Sequence, residues 1–195
     1  MQLNDQLIRA SLHRKRLRKY HKNPEALVVD ELGLKHGQVR ADVAVVNGSL
    51  CGYEIKSDKD TLGRLAKQIP AYNAVFDKVT IVAGEKHVDQ AAATVPNWWG
   101  VLIAYQGSKG AIHFKPIRAP QFNTQVDMVA VAQLLWHSEV AGILDSLGYP
   151  SKTLRQSRSV LYEIVAEALP ARELQKKTRE ILKTRKGWRC PQQPL

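Results

Sequence analysis

The sequence predicts an α/β fold: a basic helix, three β-prone runs, a helix and a further strand, followed by a purely helical extension. Three observations carry this reading. Val-rich or alternating apolar runs lie between residues 26 and 114, an Asn47-Gly48 pair separates two of them, and beyond Pro116 and Pro120 only helical periodicity remains. The chain has 195 residues and a net charge of +11, enough length for one full core plus an appendage. No apolar run approaches the roughly 20 residues of a membrane span. The opening residues lack the pattern of a secretory signal, so the cytoplasm is the expected location and no membrane partner is expected. Cys51 and Cys190 lie in no Cys/His cluster, which argues against a disulfide framework or a zinc site.

Each element has a local cause. Leu3, Leu7, Leu12 and Leu17 recur at near-helical spacing with basic residues between them, so residues 3–19 read as an amphipathic helix that ends before Asn23-Pro24. Residues 26–32 read as a short strand ending near Glu31. From Arg40 to Lys56, two β-prone runs flank Asn47-Gly48, a strong hairpin signal. Asp60-Thr61 can cap a helix reaching about Phe76, with Pro70 inside it. Residues 77–82 read as a buried strand, and 98–104 and 111–114 as two more. Helices are expected over about 126–147, 154–169 and 171–185, broken at Gly148-Tyr149-Pro150 and Pro170, with a frayed tail from Pro191. The domain reading is a core over 1–120 and a basic helical extension over 121–195.

Divided along the chain, the net charge is +6 over residues 1–23, −2 over 24–150 and +7 over 151–195. Positive charge kept on a folded protein is commonly used on an anionic partner, most often nucleic acid. Arg14 and Arg16 in the first helix and Lys176 and Lys177 in the last, together with Arg172, Arg179, Lys183, Arg185 and Lys186, are the candidate phosphate contacts.

The acidic middle holds the residues that carry chemistry. Asp42 and Glu54 interrupt apolar strands, where a carboxylate is costly without a partner or ligand. Lys56 lies two residues after Glu54 and therefore on the same strand face. Two carboxylates beside an amine could hold a hard divalent cation, and Glu31 could add a third. The hairpin register tests this. A two-residue Asn47-Gly48 loop would set Asp42 opposite Tyr53 and send Glu54 and Lys56 to the other side. A three-residue Asn47-Gly48-Ser49 loop, or a bulge, sets Asp42 opposite Glu54 and leaves Val43, Val45, Cys51, Tyr53 and Ile55 for the core. The longer loop or a bulge is predicted.

The run R-A-D at 40–42, followed after the hairpin by E-I-K at 54–56, resembles the PD-(D/E)XK nuclease superfamily, whose restriction-endonuclease-like fold has an α-β-β-β-α-β core with a mixed sheet. The wider text, with E-L-G-L at 31–34 and Q-I-P-A-Y at 68–72, is similar to a largely uncharacterised bacterial and phage branch over about residues 25–105. The resemblance implies Asp42, Glu54 and the Ile55 carbonyl as ligands of Mg²⁺ or Mn²⁺, Lys56 as the residue steadying the attacking water, and Gln68 and Tyr72 as further catalytic residues on the following helix. Arg64, one turn earlier on that helix, can touch phosphate or the lysine, and Arg40 can contact phosphate or pair with an acid. Pro70 and the Ala41 that precedes Asp42 depart from the family pattern. The implied function is metal-dependent hydrolysis of DNA in phage or mobile-element biology, defence or repair. RNA stays open as a substrate, and so does a homodimer or protein partner. The alternative is a non-catalytic nucleic-acid- or protein-binding module on a nuclease-like fold.

Overall fold

The computed structural model describes residues 3–188, so Cys190 and the tail after it lie outside the described residues. Six strands form one open sheet in chain order: β1 (Leu27–Leu34), β2 (Val39–Val46), β3 (Leu50–Lys56), β4 (Lys78–Gly84), β5 (Gly100–Gln106) and β6 (Ile112–Arg118). The β1–β2, β2–β3 and β5–β6 pairs are antiparallel, while β3–β4 and β4–β5 are parallel. The parallel pairs need crossovers, which are helices α3 (Leu65–Val75) and α4 (Val88–Thr94). Ala71, Tyr72, Val75, Val88 and Ala91 from these helices join one core layer with Ala44, Val46, Ile81 and Trp99. Gly52 lets the α3 end sit this close, because a Cβ there would lie 2.8 Å from the Phe76 ring.

The opposite sheet face is covered by the N-terminal segment. It comprises α1 (Asp5–Ser11), a π-helical turn (Leu12–Arg16) and α2 (Arg18–His21). Leu12 and Leu17 are five residues apart, a spacing an α-helix would send to different faces. The π turn closes with Leu17 N donating to Leu12 O at 3.0 Å, and both leucines become fully buried with Ile8, Val43, Val45 and Ile55. The same turn leaves Arg14, Lys15 and Arg16 exposed.

The hairpin has the longer loop. Val46 pairs with Leu50 and Val43 with Tyr53, so Asn47-Gly48-Ser49 is the loop and Asp42 falls in register with Glu54. In β1, Leu27 and Val29 share a core layer with Leu32 and Leu34 despite the odd offset between the pairs, and in β2 Ala41 and Ala44 do the same. The switch falls on one skipped rung between the Asp30–Val43 and Leu32–Ala41 pairs, where Glu31 takes a left-handed φ of 56°.

Two local expectations need correction. Asp60 does not cap α3: Ser57 N and Oγ donate to its Oδ2 at 2.8 and 2.6 Å, closing a turn at the end of β3, and the helix begins at Leu65. The span 126–147 is two helices, α5 (Met128–Ala132) and α6 (His137–Ser146), because Glu139 accepts the Trp136 N–H and starts a new helix. The extension continues through α7 (Ser151–Leu154), α8 (Arg158–Ala168) and α9 (Ala171–Thr184). Leu135, Leu144, Leu161, Tyr162 and Leu174 form its own core, while Ala130, Leu134 and Leu182 join the sheet layer.

Candidate functional site

At the end of β3, Glu54 and Lys56 are 1% and 4% exposed and form an ion pair, with Lys56 Nζ donating to Glu54 Oε1 at 2.6 Å. Lys56 Nζ also donates to Gln68 Oε1 at 3.0 Å, and the Tyr72 hydroxyl donates to Glu54 Oε2. Tyr72 OH in turn accepts from Asp42 N at 3.3 Å. Gln68 and Tyr72 are one turn apart on α3, so Pro70 between them does not disturb their shared face.

Asp42 Oδ2 accepts the Ile55 N–H at 2.7 Å, where a further rung of the hairpin ladder would fall. Its Oδ1 accepts from Arg9 Nη2 at 3.0 Å, and Arg9 Nε donates to Asp5 Oδ1 at 3.1 Å. Burial, and then the charge of Glu54, push the Asp42 carboxyl up from 3.8 to about 7, against the Ile55 N–H and Arg9. Burial opposes the Arg9 charge, but Asp5 and Asp42 outweigh it and hold its pKa above the ordinary value. The Tyr72 phenol is raised by burial and by Glu54 and Asp42, so it remains a donor.

Apart from Tyr72, which is buried behind Glu54, these groups line a cleft of about 710 Å³. Arg40, Arg64 and Lys67 are exposed at its wall, Arg64 immediately preceding α3. The structure thus brings together Asp42, Glu54, Lys56, Gln68, Tyr72, Ile55, Arg40 and Arg64. It adds Arg9, Asp5 and Lys67, which the sequence does not single out. The Asp5–Arg9 spacing of four is the one signal there, and it says nothing of Asp42, 33 residues away.

Other expected residues lie elsewhere. Glu31 is outside the cleft lining, with its Oε2 3.5 Å from Arg40 Nη1. Among the described residues no group of three or more His, Cys, Asp or Glu is placed to hold a metal ion. Arg14 and Arg16 sit on the π turn and Lys176 and Lys177 on α9, none of them in this cleft. Along the same segment Arg179, Lys183 and Arg185 pair with Asp77, Glu25 and Glu139 and tie α9 to the rest of the chain, while Lys176 and Lys177 pair within α9 with Glu180 and Glu173. No helix among the described residues is long and apolar enough to cross a membrane.

Comparison with known proteins changes the assignment. The family model described as bacteriophage P4 protein cII matches residues 2–189. Protein cII of Enterobacteria phage P4 is 32% identical over 124 residues, which is 64% of this chain and 47% of that protein, so the match spans about half the relative's length. No solved structure matches the chain, and the fold stands as mixed α/β with a six-stranded open sheet. The family match overturns the PD-(D/E)XK assignment, and the expectation of a DNA-hydrolysing enzyme goes with it. The phage relation stands: this chain belongs to the bacteriophage P4 protein cII family.

Proposed function

We propose that the protein is a DNA-binding regulatory protein of phage biology, a binding module without a hydrolytic step, acting in the cytoplasm. One observation carries this: Asp42 and Glu54 at the heart of the cleft are engaged from within by Arg9 and Lys56, while Arg40, Arg64 and Lys67 remain exposed around it. Such cations bind the phosphate backbone without reading sequence. Exposed Arg14 and Arg16 extend the basic surface, and Lys176 and Lys177, beside Glu180 and Glu173 on α9, are its more distant candidates. The element order supports a restriction-endonuclease-like scaffold used here for binding, with residues 1–120 as core and 121–195 as basic extension.

The test is fluorescence anisotropy of a labelled duplex against salt. Arg40→Ala, Arg64→Ala and Lys67→Ala together are expected to weaken binding similarly on unrelated sequences and to reduce the log–log salt slope by about 0.9 for each phosphate no longer neutralised. No duplex binding by the wild type, or an unchanged slope in the triple variant, would overturn the reading. An RNA hairpin bound more tightly than the duplex would reassign the partner.

Mg²⁺ or Mn²⁺ belongs to the same proposal. Asp42, Glu54 and the Ile55 carbonyl offer the hard oxygen donors these ions take, and an ion there would compete with Arg9 for Asp42. Electron paramagnetic resonance of Mn²⁺ is expected to show weak binding by the wild type and tighter binding by Arg9→Ala. Equal free Mn²⁺ with both proteins removes the ion from the account.

A further inference from the structure

A second cleft, of about 440 Å³, lies between the N-terminal helical segment and strands β3–β6 and shares no lining residue with the first. Lys15, Arg16, Lys19 and Arg118 line it together with Tyr20 and Tyr53, and no acidic side chain does.

The four cations divide into two kinds. Lys15 Nζ donates to the Ile112 carbonyl, and Arg118 donates from Nε to Trp99 O at 2.7 Å and from Nη2 to Pro96 O at 3.2 Å, so both are tied to the backbone. Gly100 permits this wall, since a Cβ there would lie 2.8 Å from Pro120 Cδ. Arg16 and Lys19 have no acidic partner among the described residues, and Lys19 Nζ sits 4.8 Å from the centre of the Tyr20 ring. Tyr53 is half-buried, and burial raises its phenol well above the ordinary value, so its hydroxyl stays a donor. The volume lies within the roughly 300–1,000 Å³ of small-molecule sites.

An Arg fork and Lys ammonium groups match a phosphate, and tyrosine rings match the flat face of a base. An inorganic anion would use the cations and leave the rings idle. We propose that this cleft binds a nucleoside phosphate, either free or as one nucleotide of a single strand. The inference goes beyond the duplex-binding reading: it shares only Arg16 with it, and takes a different ligand.

Isothermal titration of the full chain with adenosine monophosphate, thymidine monophosphate, adenosine, inorganic phosphate and a short oligothymidylate tests it. A nucleotide or the oligothymidylate is expected to bind with Kd below about 1 mM. Adenosine and phosphate alone should each bind at least about tenfold more weakly. Arg16→Ala with Lys19→Ala should lose about tenfold or more. Tyr20→Ala, which keeps every charge, should also weaken binding, an effect that a purely electrostatic grip would not show. Comparable affinity of mononucleotide and oligothymidylate assigns a free nucleotide. Binding of the oligothymidylate alone, weakened by Tyr20→Ala, assigns a strand. The proposal is overturned if no nucleotide or oligothymidylate binds below about 1 mM, if phosphate binds as tightly as nucleotide, or if the variants match the wild type.

Discussion

The two clefts draw on the same N-terminal helical segment and use its charge in opposite ways. The Asp42 cleft is lined by five cations and four carboxylates, and the Tyr53 cleft by four cations and no carboxylate. In the first, Arg9 engages half-buried Asp42 and Lys56 engages buried Glu54, so these two cations are held by internal partners. In the second, Arg16 and Lys19 have nothing of opposite sign to meet inside the cleft, and their field is left for an outside anion. The lesson is that a cation's position in the sequence does not say whether it stabilises the fold or serves a partner. The deciding factor is whether a carboxylate is buried beside it, because a buried charge demands a partner and an exposed one does not.

That contrast can be broken at several points. The largest effect is expected for Lys56→Met, which strands the Glu54 carboxylate in a site only 1% exposed. Urea denaturation should show a loss of about 3–5 kcal/mol, with most of it recovered in Glu54→Leu/Lys56→Met. A loss under about 1 kcal/mol in the single variant would mean that Glu54 is not held as a charged pair. Tyr72→Phe removes the hydroxyl that donates to Glu54 and accepts from Asp42 N, and should cost about 1–3 kcal/mol in the same measurement.

The pH dependence sharpens the comparison. Asp42 titrates near 7 in the folded chain against 3.8 for an ordinary aspartate. Between those values the unfolded chain gives up a proton that the folded chain keeps, so this group's contribution falls as pH rises from about 4 to about 7 and is level above that. Melting temperatures of the wild type should carry this downward component, and Asp42→Asn should lack it. An identical pH profile in the two proteins would show that Asp42 does not carry the shift. The smallest stability effect is expected in the other cleft. Arg16→Ala and Lys19→Ala should change stability by less than about 0.5 kcal/mol, since neither side chain holds a buried partner.

Much of the first cleft is legible in the sequence. The strand period of two places Glu54 and Lys56 on one face, the three-residue loop sets Asp42 in register with Glu54, and the helical period of four aligns Gln68 with Tyr72. The family behind these residues is not legible there, and the nuclease resemblance misleads, because D, a hairpin and E-x-K specify a local geometry rather than a lineage. Arg9 escapes a sequence reading because six other cations share residues 1–23 and nothing local marks the one that reaches Asp42. Helix α4 escapes it because its Ala-rich text has no apolar stripe to count. Arg179, Lys183 and Arg185 read as a phosphate-facing row, yet Asp77, Glu25 and Glu139 approach from distant parts of the chain and take them up.

By itself the sequence determined the strands, the hairpin loop, the crossover after β3 and the uneven charge, because each depends on neighbours within a few residues of one another. Tertiary structure alone decided which cations are neutralised and which stay available. It seated the N-terminal segment across the sheet, where the π turn reconciles the Leu12–Leu17 spacing with burial, delivering Arg9 to one cleft and Arg16 and Lys19 to the other. Charge acts through space, so residues tens of positions apart settle each other's role only once the chain has folded.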